Sequence, residues 1–199
     1  VDNQMGGKDF VNQLKMYEGE FEKGRWRNFK AFPYNSNDYL VGYAHYTDDG
    51  NTLYFASNMP GGEGGLDLYV SQRVDGKWTQ PSNLGPRINT QKNEAFPYIK
   101  GEELYYASNG FPGYGELDIF VSSRSDTGWT TPENLKSPIN SNRDDFGIFF
   151  TSDTSGFYAS NRAGAKGKDD IYGFIKYENN IQLKGVVEYK GAGVKGTKV

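Results

Sequence analysis

The chain contains short apolar segments that end in a Ser-Asn pair and are followed by polar, glycine-rich loops. The first segment, residues 53–58, reads Leu-Tyr-Phe-Ala-Ser-Asn and is apolar on both faces of a strand. Such a run is typical of a strand that is buried on both sides. Nearly the same letters return at residues 104–109 and 157–161. The pattern therefore predicts three copies of one buried strand.

The copies keep one register over the length of the repeat. The asparagine that ends each apolar segment recurs after 51 or 52 residues, and so do an acidic residue and a tryptophan. These positions are Asn58, Asn109 and Asn161, then Asp67, Asp118 and Asp170, and finally Trp26, Trp78 and Trp129. Self-similarity at a fixed period indicates a repeat architecture.

Each repeat divides into four predicted strands that are separated by turns. A first strand ends at a tight turn such as Asp49-Gly50, which supplies the positive φ that hairpins need. The apolar segment is the second strand, the third begins at the repeated aspartate, and the fourth carries the tryptophan. Stacked repeats of about fifty residues with four short strands each predict an all-β fold made of β-propeller blades.

The two ends of the chain do not complete a repeat. Residues 1–178 are expected to form a partial propeller of two full blades with half-blades at both ends. Closed propellers have roughly 4 to 8 blades, so we expect the chain to be a fragment of a longer protein, with pairing to other blades as the alternative. Residues 179–199 change to an alternating pattern, which predicts the truncated first strands of a β-sandwich.

Composition excludes several classes of protein. The chain has no cysteine, which excludes disulfides, thiolate metal sites and thiol catalysis. Its formal net charge of −3 and its scattered lysines argue against binding to nucleic acid. No apolar run approaches the length that spans a bilayer, so we do not expect a membrane-spanning protein.

The residues that could carry catalysis or bind metal favour structural roles. His45 is the single histidine, which excludes a multi-histidine metal site. We expect His45 to be a partly buried strand residue, with a ligand contact in the central channel as the alternative. No catalytic residue, cofactor or metal site is predicted, and the chain is not expected to be an enzyme.

The repeated polar and aromatic positions are predicted to hold the blades together. Because the aspartates recur once per blade, a single catalytic role does not account for them. Their carboxylates are expected to accept N–H bonds from the preceding glycine-rich loops, with calcium binding as the alternative. The repeated asparagines are expected to fix the loops, and the repeated tryptophans to pack on the outer strands.

Partner contacts are predicted at features that the repeat does not require. The spacing from Asp9 to Trp26 is six residues longer than the equivalent spacing in the next repeat, which indicates an insertion around Tyr17. Two glycine-rich loops carry further non-repeated side chains: Phe111 and Tyr114 in one loop, and Arg162 in the other. Exposed aromatic side chains suit protein contacts, and folding back onto their own blade is the alternative.

Two motifs resemble known repeats. Residues 160–164, Ser-Asn-Arg-Ala-Gly, followed by Asp-Ile-Tyr at 170–172, resemble the PD40 repeat of TolB-like and WD40-like propellers. The turn Thr-Asp-Asp-Gly at 47–50 stands where that repeat usually carries Ser-Pro-Asp-Gly, and it departs from the pattern at Thr47 and Asp48. The longer string of residues 33–62 resembles the propeller of PorE-like, OmpA-family periplasmic proteins associated with type IX secretion and gliding.

This resemblance covers the chain from about Lys23 to its end and implies a location and a pathway. In that family a helical-repeat domain precedes the propeller, and a carboxypeptidase-regulatory-like sandwich and a peptidoglycan-binding OmpA-like domain follow it. Residues 183–199 are similar to the start of such a sandwich. The resemblance implies a periplasmic, outer-membrane-associated scaffold that contacts other proteins of a cell-envelope assembly. Contact with peptidoglycan would involve parts of the parent protein outside this chain.

Two other functions remain open at this point. An aromatic-rich channel would suit the binding of a glycan or a peptidoglycan fragment, which should then depend on Tyr114 or Phe111. A hydrolase whose other half lies outside the chain would depend on Asp145 or Asp153, since glycoside hydrolysis needs two facing carboxylates. A scaffold predicts neither result and instead forms a stable protein complex.

Overall fold

The computed structural model describes residues 13–164 and 166–177, together with the backbone of residues 188–189 and 192–193. This part of the chain is all-β, with antiparallel sheets and no helix. Most of the predicted sandwich segment, residues 179–199, lies outside the described residues. Within it, β16 and β17 are the only described strands, and they form one antiparallel pair, Glu188–Tyr189 with Ala192–Gly193.

The described strands before this pair form one hairpin and three sheets. The hairpin consists of β1 (Tyr17–Glu22) and β2 (Arg25–Ala31). The first sheet contains β3 (Val41–Tyr46), β4 (Thr52–Ser57), β5 (Asp67–Val74), β6 (Lys77–Trp78) and β7 (Ser82–Asn83). The second contains β8 (Glu94–Lys100), β9 (Glu103–Ser108), β10 (Asp118–Ser125), β11 (Gly128–Trp129) and β12 (Glu133–Asn134). The third contains β13 (Asp145–Phe150), β14 (Ser155–Ser160) and β15 (Asp170–Ile175).

The first two sheets have the same order of strands. In each, four consecutive strands lie side by side, and a short fifth strand pairs with the third, as β7 does with β5. The third sheet repeats the first three strands of this order. The predicted succession of first, second and third strands is therefore confirmed for all three repeats.

The apolar cores lie between neighbouring sheets. Successive side chains of a strand point to opposite faces, so adjacent residues of β9 contact different neighbours. Tyr106 packs with Leu68 of the first sheet, whereas Tyr105 packs with Ile148 and Tyr158 of the third. The prediction that the Leu-Tyr-Tyr-Ala-Ser segment is buried on both sides is thus confirmed for the second sheet.

The outward face of the third sheet is exposed. Phe157 is 48% exposed and Ile171 is 79% exposed, whereas the residues at the same register in the second sheet, Tyr105 and Ile119, are 8% and 0% exposed. The described residues provide no fourth sheet against this face.

Glu18 connects the hairpin to the first sheet. One of its carboxylate oxygens accepts hydrogen bonds from the Tyr46 hydroxyl at 2.5 Å and from Trp78 Nε1 at 3.2 Å, and it also pairs with Arg73. The two strands of the hairpin are otherwise exposed along most of their length.

A buried asparagine completes the hydrogen bonding of the third strand in both complete sheets. Asn89 accepts the N–H of Leu68 at 2.8 Å and donates to the carbonyl oxygen of the same residue at 3.0 Å. Asn140 makes the equivalent pair of bonds with Ile119, at 2.9 Å and 2.8 Å. The side-chain amide thus pairs with the third strand as another strand would.

Substitution of Asn89 by alanine should therefore destabilise the fold. The buried N–H of Leu68 would lose its acceptor, which costs about 1–3 kcal/mol in the free energy of unfolding. Urea denaturation of the two proteins measures this difference. Asn142→Ala, at an exposed asparagine, is the matched control and should remain within about 0.5 kcal/mol of the wild type. Equal stability of the Asn89 variant and the wild type would contradict the assigned role.

Candidate binding groove on the first strands

The first strands of the three sheets line one open groove. Its volume is about 570 Å³, which is within the usual range of about 300–1,000 Å³ for ligand sites. Three aromatic side chains and three carboxylates define it: Tyr43, Phe96 and Phe146, with Glu116, Asp144 and Asp169. The remaining lining residues are Leu66, Asn93, Ala95, Asn109 and Leu117.

The aromatic side chains form a continuous row across the three sheets. The ring centroids of Tyr43 and Phe96 are 4.4 Å apart, and those of Phe96 and Phe146 are 4.8 Å apart. These separations are within the contact range of paired aromatic rings. Tyr43 is 36% exposed, so a ligand can reach the row from solvent.

A bulge in each first strand places these rings. The pairing of β3 with β4 shifts between Gly42 and His45, and equivalent shifts occur in the other two sheets. The residues at the three bulges are Tyr43, Phe96 and Gly147, with φ values of 53°, 55° and 62°. A non-glycine residue in this region costs about 1–3 kcal/mol, and such strain is concentrated at functional sites. The two strained aromatic residues therefore mark the groove as a candidate site.

The repeated asparagines hold the edge of the groove. Asn109 Oδ1 accepts the N–H of Asn93 at 3.0 Å, and Asn161 Oδ1 accepts the N–H of Asp144 at 2.8 Å. Asn58 makes the same bond to the N–H of Leu40, at 2.7 Å. Each bond reaches the residue just before a first strand. The sequence predicted side-chain bonds to backbone, and the structure places them at the entry of the first strand.

Asp144 and Asn93 also connect neighbouring sheets. Asp144 Oδ1 accepts the N–H of Leu117 at 3.0 Å, as Asn93 Oδ1 accepts the N–H of Leu66 at 3.0 Å. The other Asp144 oxygen accepts a bond from Asn161 Nδ2 at 2.8 Å. Asp144 is thereby fixed in the groove by three polar contacts, counting its own N–H.

The groove is negatively charged, and no cationic residue among its described lining residues neutralises this charge. Among the described lining residues there is no lysine, arginine or histidine. The ion pairs found within the described part of the chain do not include Glu116, Asp144 or Asp169. The site therefore combines aromatic surface with three carboxylates that have no cationic partner there.

The repeated aspartates lie beneath the glycine-rich loops. Asp67 Oδ2 accepts the N–H of Glu63 at 2.5 Å, and Asp118 Oδ2 accepts that of Tyr114 at 2.5 Å. Asp170 accepts the N–H groups of Lys166 at 2.5 Å and Gly167 at 3.1 Å. These are the loop contacts that the sequence predicted.

Buried carboxylates of neighbouring sheets influence each other electrostatically. Glu94 is fully buried and accepts bonds from the Thr90 N–H, the Thr90 hydroxyl and the Ser108 hydroxyl. Burial raises the pKa of Glu94, and the negative charge of Asp67 adds to this increase. Burial also raises the pKa of Asp118, with a smaller contribution from Asp145.

The Oδ1 atoms of Asp67 and Asp118 are buried and have no hydrogen-bond partner among the described residues. None of the described residues form a group of three or more His, Asp or Glu that could hold a metal ion.

The repeated tryptophans differ in exposure. Trp129 is buried, Trp78 is half-buried, and Trp26 on the hairpin is exposed. The guanidinium carbons of Arg73 and Arg124 lie 4.4 Å from the ring centroids of Trp78 and Trp129, respectively. Arginine side chains therefore cover the tryptophans of the two complete sheets.

The four predicted contact residues do not line the groove. Tyr17 and Tyr114 are exposed at other places on the surface. Phe111 folds back, with its ring centroid 5.4 Å from that of Phe120, and it packs on the core between the first two sheets.

Arg162 is used inside the protein. Its guanidinium donates to Asp145 at 2.6 Å and to the carbonyl oxygens of Pro138 and Ile139 at 3.0 Å and 2.6 Å. It also lies 5.1 Å and 4.8 Å from the ring centroids of Tyr158 and Tyr172. This geometry gives Arg162 a structural role at the junction of the second and third sheets.

His45 and the carboxylates considered for hydrolysis also lie outside the groove lining. The His45 ring is half-buried and 4.5 Å from that of Tyr98, and burial lowers the pKa of its imidazole. Asp145 is buried against Arg162, whereas the Asp153 side chain is fully open to solvent and pairs with Lys100 at 3.2 Å.

The sequence did not identify the groove. Tyr43 and Phe96 occupy the bulges, where the register of the repeat changes, whereas Phe146 lies one residue before the bulge position of its own strand. The signal that could have found them was an aromatic residue near the start of each predicted first strand.

Comparison with protein-family models, curated proteins and solved structures finds no match for this chain. The described residues include no helix that is both long and apolar enough to cross a membrane.

The raised pKa of Glu94 predicts a specific dependence of stability on pH. Between the ordinary carboxyl pKa of 4.5 and the raised one, the folded state retains a proton that the unfolded state has released. The free energy of unfolding therefore falls as the pH rises through this range. Glu94→Gln, which has no carboxylate to ionise, should reduce that fall at pH values above 4.5.

Urea denaturation at several pH values measures the two slopes. Glu133→Gln, at an exposed glutamate, is the control for loss of a negative charge and should keep the wild-type slope. Equal slopes in the wild type and the Glu94 variant would show that Glu94 does not couple protonation to folding.

Proposed function

We propose that this chain is part of a PD40-type β-propeller and acts as a non-enzymatic protein-interaction module. We place it in the periplasm, in an outer-membrane-associated assembly for type IX secretion or gliding. The propeller type comes from the resemblance of residues 160–172 to the PD40 repeat, and the location and pathway come from the resemblance of residues 33–62 to the PorE-like family. The observation that carries the interaction role is the open aromatic and acidic groove across three sheets.

The arrangement of the sheets supports the propeller interpretation. The first strands lie next to one another, and each junction buries the second strand of one sheet against its neighbour. The exposed face of the third sheet carries apolar residues where the second sheet carries buried ones. Another blade of the same kind would cover this face, which agrees with a chain that supplies part of a ring.

The use of the carboxylates supports a role in binding. The repeated aspartates accept hydrogen bonds from their loops, and Asp145 pairs with Arg162. The groove carboxylates stand beside a ready-made aromatic surface, which is the composition of a recognition site with fixed polar groups.

Binding of a glycan or peptidoglycan fragment is the second candidate. The row of Tyr43, Phe96 and Phe146 favours it, because apolar faces of sugar rings pack on aromatic side chains while carboxylates and amides bind the hydroxyl groups. It predicts saturable binding of soluble fragments by calorimetry, which Phe96→Ala abolishes.

The first experiment is capture of partners by the full-length native protein from solubilised cell envelope, followed by mass spectrometry. We expect outer-membrane components of a secretion or gliding assembly in a fixed ratio. Tyr43→Ala in the groove should reduce their recovery at least tenfold.

Tyr177→Ala is the matched control, since it removes another exposed tyrosine ring outside the groove lining. It should leave recovery unchanged if the groove is the contact surface. A wild-type protein that comes down alone, or only with cell-wall fragments, would overturn the interaction role and favour glycan binding.

A further inference from the structure

The framework of the repeat does not require the negative charges of the groove. The residue just before the first strand is Leu40, Asn93 or Asp144 in the three repeats, and its N–H makes the same bond each time. Asp144 Oδ1 also accepts the N–H of Leu117, but the neutral amide of Asn93 makes the equivalent bond to Leu66, so the fold does not need a negative charge at this position.

The residue that precedes the repeated aspartate varies in the same way. It is a leucine in the first two repeats, at Leu66 and Leu117, and an aspartate in the third, at Asp169. All three line the groove. Carboxylates are thus concentrated at the end of the groove near the third sheet, at positions where the other repeats have uncharged residues.

The chain already shows how such groups bind a cation elsewhere. The Arg162 guanidinium contacts the rings of Tyr158 and Tyr172 while it donates to the Asp145 carboxylate. Arginine also lies over the tryptophan of both complete sheets. The groove presents the same kinds of group, aromatic rings beside carboxylates of which Asp144 is held by hydrogen bonds, without a lysine or arginine among its described lining residues.

We propose that the groove binds an arginine or lysine side chain from an extended basic segment of a partner protein. This inference rests on the proposed interaction function and names the chemistry of the partner. The carboxylates supply charge complementarity, and the face of an aromatic ring attracts a cation. The planar guanidinium stacks on rings and pairs with carboxylates better than a compact ammonium does, so arginine should bind more tightly than lysine.

The test uses the 199-residue chain and blocked heptapeptides, with binding followed by isothermal calorimetry and by NMR shifts. One peptide carries two arginines separated by glycine, and the second carries lysines. The third carries citrulline, which has the shape of arginine without its charge. We expect saturable binding in the order arginine, lysine, citrulline, with at least a tenfold difference between the first and the last.

Two variants connect this binding to the groove. Glu116→Gln combined with Asp169→Asn removes two exposed charges, and Phe96→Leu removes an aromatic face while keeping an apolar side chain. Each should weaken binding of the arginine peptide at least tenfold. The control is Glu133→Gln with Asp126→Asn, which removes the same charge from exposed positions outside the groove and should preserve binding. Thermal unfolding establishes that all variants are folded.

Equal affinity for arginine and citrulline, binding that neither groove variant changes, or no binding of any peptide would each overturn the inference. The capture of partners from cell envelope tests the interaction function independently of the peptide titration. If the native protein recovers its partners and Tyr43→Ala loses them, the interaction function is supported and only the proposal of a cationic ligand is contradicted. If peptidoglycan fragments bind in the groove and basic peptides do not, the glycan function replaces both.

Discussion

Polar side chains that take the place of missing backbone partners determine this structure. The N–H groups of the third strands are buried and those at the entry to the second and third sheets are partly buried, and a buried unpaired N–H is costly. The amides of Asn89 and Asn140 pair with the third strands, and those of Asn109 and Asn161 hold the entry to the first strands. The aromatic cores can pack between sheets because these bonds fix where each sheet begins and ends.

The same requirement explains why much of the fold could be predicted from the sequence. An amide or carboxylate that bonds the backbone must return at the same place in every unit, so Asn109 and Asp118 appear in the sequence at a fixed period. The strand buried on both sides is equally visible, because both of its faces are apolar. The buried partners Asn89 and Glu94 were not assigned. Asn89 recurs as Asn140 after 51 residues, but recurrence does not distinguish a buried polar side chain from an exposed one.

The candidate site was harder to predict because it depends on departures from regularity. At Tyr43 and Phe96 the backbone adopts a positive φ, and bulky aromatic residues give no sign of this in a sequence. Reasoning from non-repeated residues selected Phe111 and Arg162, which pack inside the protein. Arg162 occurs once because it compensates Asp145, whereas the equivalent Glu94 takes its bond from the Ser108 hydroxyl. A residue can therefore be unique to one repeat for structural reasons.

A more informative criterion is whether the framework constrains the side chain at a position. At the residue before the first strand, the bond to the repeated asparagine uses the main-chain N–H. The Asn93 amide and the Asp144 carboxylate make the same bond to the neighbouring sheet, so the fold leaves the charge at this position open to selection for another purpose. Asn93 and Asp144 at this position line the groove, as do the residues before the third strands, and the lining becomes acidic toward the third sheet. The strained aromatic residues lie against the same surface. The groove thus combines backbone strain with negative charges that the fold does not need. This combination is the physical reason to expect a ligand there, and the negative charges are the reason to expect a positively charged one.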